Sequence, residues 1–289
     1  MKKSKTFDRV LIAILIVLAL ITLYPFYNVL IISFSNTESV AKHTPYLLPY
    51  AHDLTGYKTI LMDEDFRNSL LVTIFVTGVG GTINLVLSLI AAYVLSRRYL
   101  DGRNIFMSLI IFTMLFGGGL VPTYMVVKDL GLINSVWSMV LPTAINTYYL
   151  IIMKNYFLGL PDGLFEAAKL DGAGEWTILW KIAVPLAKPI VATFTLFYAV
   201  DRWNEWYNAL LYINQKNLAP LQIYLRNIMV SLNSQLSTQA QQMMGSTSKI
   251  STSAVQMATI MITALPIMLI YPYLQKYFVN GIMVGGIKE

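Results

Sequence analysis

Glu166-Ala-Ala-Lys-Leu-Asp-Gly-Ala173, followed by Ile182-Ala-Val-Pro-Leu186 and Pro189, is a sizeable polar insertion set between two long apolar stretches. Pro161 stands where a helix can begin without losing a bonded amide, because the first N–H groups of a helix have no internal partner. Asp162 suits the positive end of the helix dipole. Leu164, Ala167 and Ala168 share a face by their i, i+3, i+4 spacing. Two alanines leave that face shallow enough to slide into a groove on a partner, and Glu166 supplies an anchoring charge. Gly172 permits a sharp turn after the helix, and a second short helix is expected from Glu175 to Ile182. A punctuated helix on a loop of this kind is a handle for another protein, not a catalytic site.

Outward from that loop, composition sets the class. Hydrophobic residues make up 56% of the chain and charged ones 12%, about half the charged share of an ordinary soluble domain. Runs long enough to cross a hydrocarbon core, which takes about 20 helical residues, recur at Val10 to Phe34, Ser69 to Ser96, Ile105 to Val127, Val136 to Phe157, Pro185 to Leu211 and Val255 to Phe278. This pattern predicts an all-α membrane protein of six spans, one domain over residues 1–289. Gly117-Gly-Gly119 with Pro122, and Pro266 and Pro272, interrupt the third and sixth spans. Such breaks are tolerated in a bundle whose neighbours or wet cavities satisfy the freed backbone groups.

Of the 21 Lys and Arg, 13 fall on the side of the N-terminus and 7 on the other, with Arg202 inside a span. The positive-inside rule therefore places both termini and the loop 159–184 in the cytoplasm. Outer loops are expected at 35–68 and 212–254. The second holds Pro220-Leu-Gln-Ile-Tyr-Leu-Arg226, an amphipathic pattern, and offers a contact for an external protein. The first span is too long for a signal-peptide core and no small-x-small cleavage site follows it.

Several functions are disfavoured. The net charge of +6 is accounted for mainly by the inner-leaflet bias, and no basic run is interleaved with aromatics, so nucleic acid is not a partner. With no cysteine there is no disulfide or thiolate chemistry. His43 and His52 are surface residues of the first outer loop, and H-E-x-x-H and other protease patterns are absent. Thr77-Gly-Val-Gly-Gly-Thr82 lacks the Lys of a phosphate-cradling loop and lies in a span, where small residues permit close helix packing. A nucleotide site must come from a partner.

The loop pattern resembles the cytoplasmic loop of the membrane subunits of ABC importers, E-A-A-x-x-D-G-A followed by I-x-L-P, with Val184 in place of the Leu. Gly80-Gly-Thr-Ile-Asn-Leu-Val-Leu87 with Ala91-Ala-Tyr93 and Arg97, Leu130-Gly-Leu-Ile-Asn-Ser135, Arg202-Trp-Asn-Glu-Trp206 and Gly281-Ile-Met-Val-Gly-Gly286 are similar to permeases for oligosaccharides. Leu115-Phe-Gly-Gly-Gly-Leu-Val-Pro-Thr-Tyr124 is similar to a subgroup linked to complex polysaccharide fragments. The resemblance implies a type I ABC importer permease in a bacterial cell membrane. Its implied partners are a second homologous permease, a dimer of ATPase subunits that binds ATP and Mg, and an extracytoplasmic solute-binding protein. It also implies that Glu166, Ala167, Ala168, Asp171, Gly172 and Ala173 form the coupling segment. The outer loop around Asn233 to Ser248 matches the position at which the family's maltose member reaches its binding protein. In that member the counterpart of this chain touches little sugar.

Ionisable residues within a span are costly and face a cavity or a partner. Arg202, Trp203, Asn204 and Glu205 in the fifth span, with Asn146 in the fourth, are the candidate substrate pathway: aromatics stack on a sugar ring and polar groups bond its hydroxyls. Arg202 and Glu205, three apart, are placed to pair. The competing reading is an aromatic belt at the membrane boundary. Asn84 and Ser88 fit hydrogen bonds between helices. An ATP-independent secondary transporter or channel is the alternative function, and it would require inverted repeats and charges on several spans.

Overall fold

The structure is a computed structural model that describes residues 5–35, 52–230 and 252–285. The stretch Asn233 to Ser248, most of the first outer loop and His43 lie outside the described residues. The described residues are helical, with one isolated bridge between Ser35 and His52.

Among the described residues, three helices are long and apolar enough to cross a membrane: Phe7–Ser33, Glu64–Ser96 and Ser253–Ile270. Two bent pairs, Arg103–Leu115 with Leu120–Asp129 at 114° and Glu175–Leu186 with Lys188–Tyr212 at 89°, raise the number to five if each is one broken span. The predicted fourth span is not a continuous helix. A 3-10 turn over Val136–Met139 is followed by irregular chain, and helix resumes only at Thr147–Leu158. Pro142 in that gap has no N–H to donate, and Asn146 caps the new helix by accepting from the amides of Tyr148 at 3.0 Å and Tyr149 at 3.3 Å.

The chain divides into two compact units, Met1–Arg67 with Tyr224–Pro266, and Asn68–Ile223 with Ile267–Glu289. The first contains α1 (Lys5–Ser33) and α2 (Thr55–Met62). The Ser33 hydroxyl bonds Tyr57 at 2.8 Å, and Tyr224, on a helix over 221–230, donates to Asp63 at 2.8 Å. Most of α1 from Phe7 to Leu30 is exposed, as expected of a helix whose solvent is lipid. α3 (Glu64–Phe75) begins in this unit.

The second unit holds the candidate sites. A π-turn, Val76–Gly80, leads into α4 (Gly81–Ser96), followed by α5 (Arg103–Leu115), α6 (Leu120–Asp129), α7 (Thr147–Leu158), α8 (Asp162–Leu170), α9 (Glu175–Ile178), a second π-turn over Leu179–Ala183, α10 (Val184–Leu186), α11 (Lys188–Trp203) and α12 (Tyr207–Tyr212). Leu89 and Ala92 of α4, Met153 and Phe157 of α7, Ile178 and Leu179, and Phe194 and Tyr198 of α11 form one buried core. α4 bonds to α11 through Ser88 and the Tyr198 hydroxyl, 2.6 Å apart, the helix-to-helix role expected of Ser88. Gly80 meets the irregular segment so closely that a Cβ there would lie 2.8 Å from Val140 Cγ2.

Candidate functional site

Arg202, in the last turn of α11, sits where the broken fourth span passes. Its side chain is 5% exposed and pairs with Glu205 at 3.1 Å. Glu205 lies just beyond the helix, which ends at Trp203, so the pairing spans the helix terminus. A guanidinium has five N–H donors, and all five are engaged. Nε donates to Asn84 Oδ1 at 2.7 Å. One terminal nitrogen donates to the Met139 carbonyl and to Glu205, and the other to the Thr143 carbonyl at 2.7 Å and the Thr143 hydroxyl at 3.0 Å. Asn84 in turn donates to the Ala144 carbonyl at 2.8 Å, and the Asn146 amide donates to the Tyr198 hydroxyl at 3.2 Å. The Met139, Thr143 and Ala144 carbonyls, at and within the break, are thus satisfied by side chains of α4 and α11, as irregular backbone in a membrane protein requires. Arg202 stitches the break.

Beside this node lies a cavity of about 520 Å³ lined by Thr143, Asn146, Tyr148, Asp201, Arg202, Glu205, Tyr207 and Asn208, among others. Of the candidate pathway residues, Asn146, Arg202 and Glu205 reach it, whereas Trp203 and Asn204 do not line it. Asn204 bonds the Val200 carbonyl and Gln222 instead. Glu205 is occupied by Arg202 and Asn208. Asp201, next in sequence to Arg202, presents a carboxylate to the cavity and accepts from Tyr149 at 3.1 Å.

The helix pair α8 and α9 is the second candidate. Pro161 precedes α8, and Gly172 turns the chain with φ of +81°, a left-handed conformation that glycine adopts freely. Burial divides α8 differently from the predicted face. Phe165 and Ala168 face inward, while Leu164, Glu166, Ala167 and Leu170 face out. Ala168 therefore belongs to the core side, because Phe165, three residues before it, is the bulkier apolar anchor. Asp171, Gly172 and the half-buried Ala173 form the turn. The outer surface is strongly apolar for its position: Leu170 is 89% and Trp176 64% exposed.

The pair is tied down by contacts that sequence reasoning did not foresee, although Tyr93, Arg97, Lys169 and Glu175 stand in stretches it quoted. Glu175 receives the Lys169 ammonium at 2.7 Å, the Tyr99 hydroxyl at 2.6 Å and the Tyr93 hydroxyl at 2.7 Å. Burial works against the charge, yet the bonds from Lys169, Tyr99 and Tyr93 outweigh it and hold the carboxyl down at about 2. The bond to Glu175 pushes the Lys169 ammonium up, and burial followed by the same carboxylate raises Tyr99. Lys169 also lies 3.9 Å from the centre of the Tyr99 ring, and the Arg97 guanidinium lies 4.0 Å from that of Phe165 and 4.5 Å from that of Tyr93.

No protein-family model matches the chain. Among characterised proteins, it is 41% identical over 286 residues, covering 99% of both chains, to the polygalacturonan/rhamnogalacturonan transport system permease protein YtcP of Bacillus subtilis strain 168. It belongs to the permease subunits of ABC sugar importers. Protein LplC of the same organism is 40% identical over 287 residues, covering 99% of this chain and 96% of that one. The crystal structure of a bacterial ABC transporter involved in the import of the acidic polysaccharide alginate contains a chain that superposes with a TM-score of 0.87 at 34% identity, covering 96% of this permease and 98% of its counterpart. A second structure, of a bacterial alginate ABC transporter in complex with its alginate pentasaccharide-bound periplasmic protein, matches with a TM-score of 0.50 at 15% identity over 93% of each chain, and shows the fold alone.

The permease is thus a multi-pass membrane protein and a transport subunit, not an enzyme, with ATP hydrolysis assigned to a separate subunit. An ATP-independent carrier is set aside by this membership.

Proposed function

We propose that this permease moves oligosaccharides into the cytoplasm by alternating access, as one of two related membrane subunits driven by an ATPase dimer and supplied by an extracytoplasmic solute-binding protein. ATP and Mg are held by the ATPase, and this chain holds no cofactor. Six crossings, as in a type I importer, follow if the two bent pairs each cross once and α7 with the irregular stretch before it forms the fourth; both termini then share a side, and the excess of Lys and Arg there supports the cytoplasm. The alginate importer and the polygalacturonan/rhamnogalacturonan permease support polysaccharide fragments as cargo. The segment Glu166 to Ala173 couples ATP use to the bundle.

The observation that carries the coupling assignment is the exposed apolar tip made by Leu164, Leu170 and Trp176 on a glycine-hinged helix pair. Exposed apolar patches of this kind mark contact sites, and here the occupant is a cleft of the ATPase. In the pathway, Asn146, Tyr148 and Asp201 are the cavity groups left for a sugar, and Arg202 and Glu205 hold the wall in shape, while Trp203 and Asn204 lie next to them in sequence without lining the cavity. Membrane lipid surrounds the rest.

The test uses the absence of cysteine from the chain. Leu170→Cys should react with a membrane-impermeant maleimide only in inside-out vesicles, and the bound ATPase should protect it. Labelling from the outside of intact cells would overturn the orientation. Leu170→Asp should shed the ATPase from the purified complex, whereas full retention would sink the docking role.

A further inference from the structure

Between α9 and the fifth span the main chain is a poor lever. It runs through the π-turn Leu179–Ala183 and then bends by 89° near Ala187. The side chains provide a shorter route, and it leads elsewhere. Lys169 links α8 to α9 through Glu175, Glu175 links α9 to Tyr93 in the last turn of α4 and to Tyr99 just past it, and Arg97 lies against both Phe165 of α8 and Tyr93 of α4. These contacts close a triangle among α4, α8 and α9, and the apolar core of the unit packs beneath it through Phe165, Ile178 and Phe157.

We propose that Glu175 is a positioning residue that fixes the helix pair to the C-terminal end of α4, so that the pair and the second span move as one piece during turnover. Motion delivered to the tip at Leu170 then reaches α4 directly, and the fifth span follows through its bend. Glu175 suits this role because one carboxylate of α9 takes three donors, one from α8 and two from the end of α4 and the turn after it. The proposal rests on the coupling reading above.

The experiment places spin labels at Val94→Cys in α4 and Thr177→Cys in α9, both exposed positions in a cysteine-free chain. Their separation is measured in the complete importer in nanodiscs, at rest and after trapping with MgATP and vanadate. The expected result is a single narrow distance that does not change between the two states. Glu175→Ala should split or broaden it in both states while the ATPase remains bound. Glu175→Gln, which keeps an acceptor for the tyrosine hydroxyls, should restore most of the narrow population. Tyr99→Phe should loosen the wild type but add nothing on the Glu175→Ala background, since residues acting through one hub are not additive.

A wild-type distance that shifts on trapping overturns the proposal, and so does a distance that stays narrow in Glu175→Ala. The coupling reading fails separately. If Leu170→Asp retains the ATPase while the distance behaves as expected, the link stands and the docking assignment falls. If Leu170→Asp sheds the ATPase while Glu175→Ala stays narrow, the link alone falls.

Discussion

Two charged nodes, Arg202 and Glu175, solve opposite problems in one helical unit. Arg202 is a cation, 5% exposed, whose donors are consumed by carbonyls, a hydroxyl, an amide oxygen and a carboxylate. Glu175 is an anion, 49% exposed, whose acceptors are consumed by an ammonium and two hydroxyls. The first compensates a helix that the sequence breaks at Pro142, and the second joins helices that the sequence keeps apart. A charge in the apolar region is retained because removing it would leave other polar groups stranded. A charge at the loop is retained for the geometry it imposes, since an exposed ion pair by itself contributes little stability.

The comparison breaks first at Arg202. Arg202→Met strands Glu205 and the Met139 and Thr143 carbonyls, and removing one partner of a buried pair costs about 3–5 kcal/mol. The expected outcome is a large fall in the yield and melting temperature of the purified complex, partly recovered by Arg202→Met with Glu205→Leu. Uptake of a labelled oligogalacturonide and of a labelled neutral oligosaccharide should fall by the same factor. A loss confined to the acidic sugar would make Arg202 a substrate contact and refute the stitching role.

The fit between the π-turn and the broken segment comes next. A Cβ at Gly80 would lie 2.8 Å from Val140 Cγ2, whereas one at Gly78 meets nothing within 4 Å. Overpacking typically costs about 1–3 kcal/mol, so Gly80→Ala should lower the melting temperature and Gly80→Ala with Val140→Ala should recover it. Gly78→Ala should be neutral. Equal effects at both glycines would mean that the irregular segment is not held against the π-turn.

Gly172 probes the other node. Its φ of +81° disfavours a β-branched residue by about 1–2 kcal/mol, so Gly172→Val should tilt α8 against α9 and reduce transport per ATP hydrolysed. Gly172→Asn, which tolerates the left-handed region, should be milder. Equal losses would show that size at the turn matters more than backbone conformation.

These nodes were unequally legible in the sequence. The pairing of Arg202 with Glu205 follows from a spacing of three, and Ser88 and Asn84 were placed correctly as bonds between helices. The carbonyl partners of Arg202 are separated from it by 59 and 63 residues, and nothing local announces them. The fourth span failed as a continuous helix because apolar composition alone cannot distinguish a helix from irregular chain whose polar groups are satisfied by neighbours. In the loop, the positions of Pro161 and Gly172 gave the boundaries of α8, and of the face read from Leu164, Ala167 and Ala168 the first two are exposed, while Ala168 turns to the core beside Phe165, which that spacing left out. Glu175 was visible only as the start of a helix. Its tyrosines lie 76 and 82 residues away, at the basic end of the second span, where nothing in the local pattern announces a carboxylate partner.

The smallest expected effect is one of pH, and its sign follows from the same bonds. The folded-state pKa of Glu175, held at about 2, lies below its ordinary value, so its contribution is present above the unfolded pKa and is lost as pH falls through the folded one. Between about pH 8 and pH 5 the carboxylate stays ionised in both states, and the link should neither gain nor lose strength. The spin-label distance between Val94→Cys and Thr177→Cys should therefore be flat across that range, and so should its width. Glu175→Gln, which cannot titrate, should be equally flat but broader than wild type at every pH. A wild-type distribution that broadens as pH falls toward 5 would mean that the carboxylate protonates far above its assigned range. The three donors would then not converge on it as the structure places them, and the contrast with Arg202 would narrow to one of burial alone.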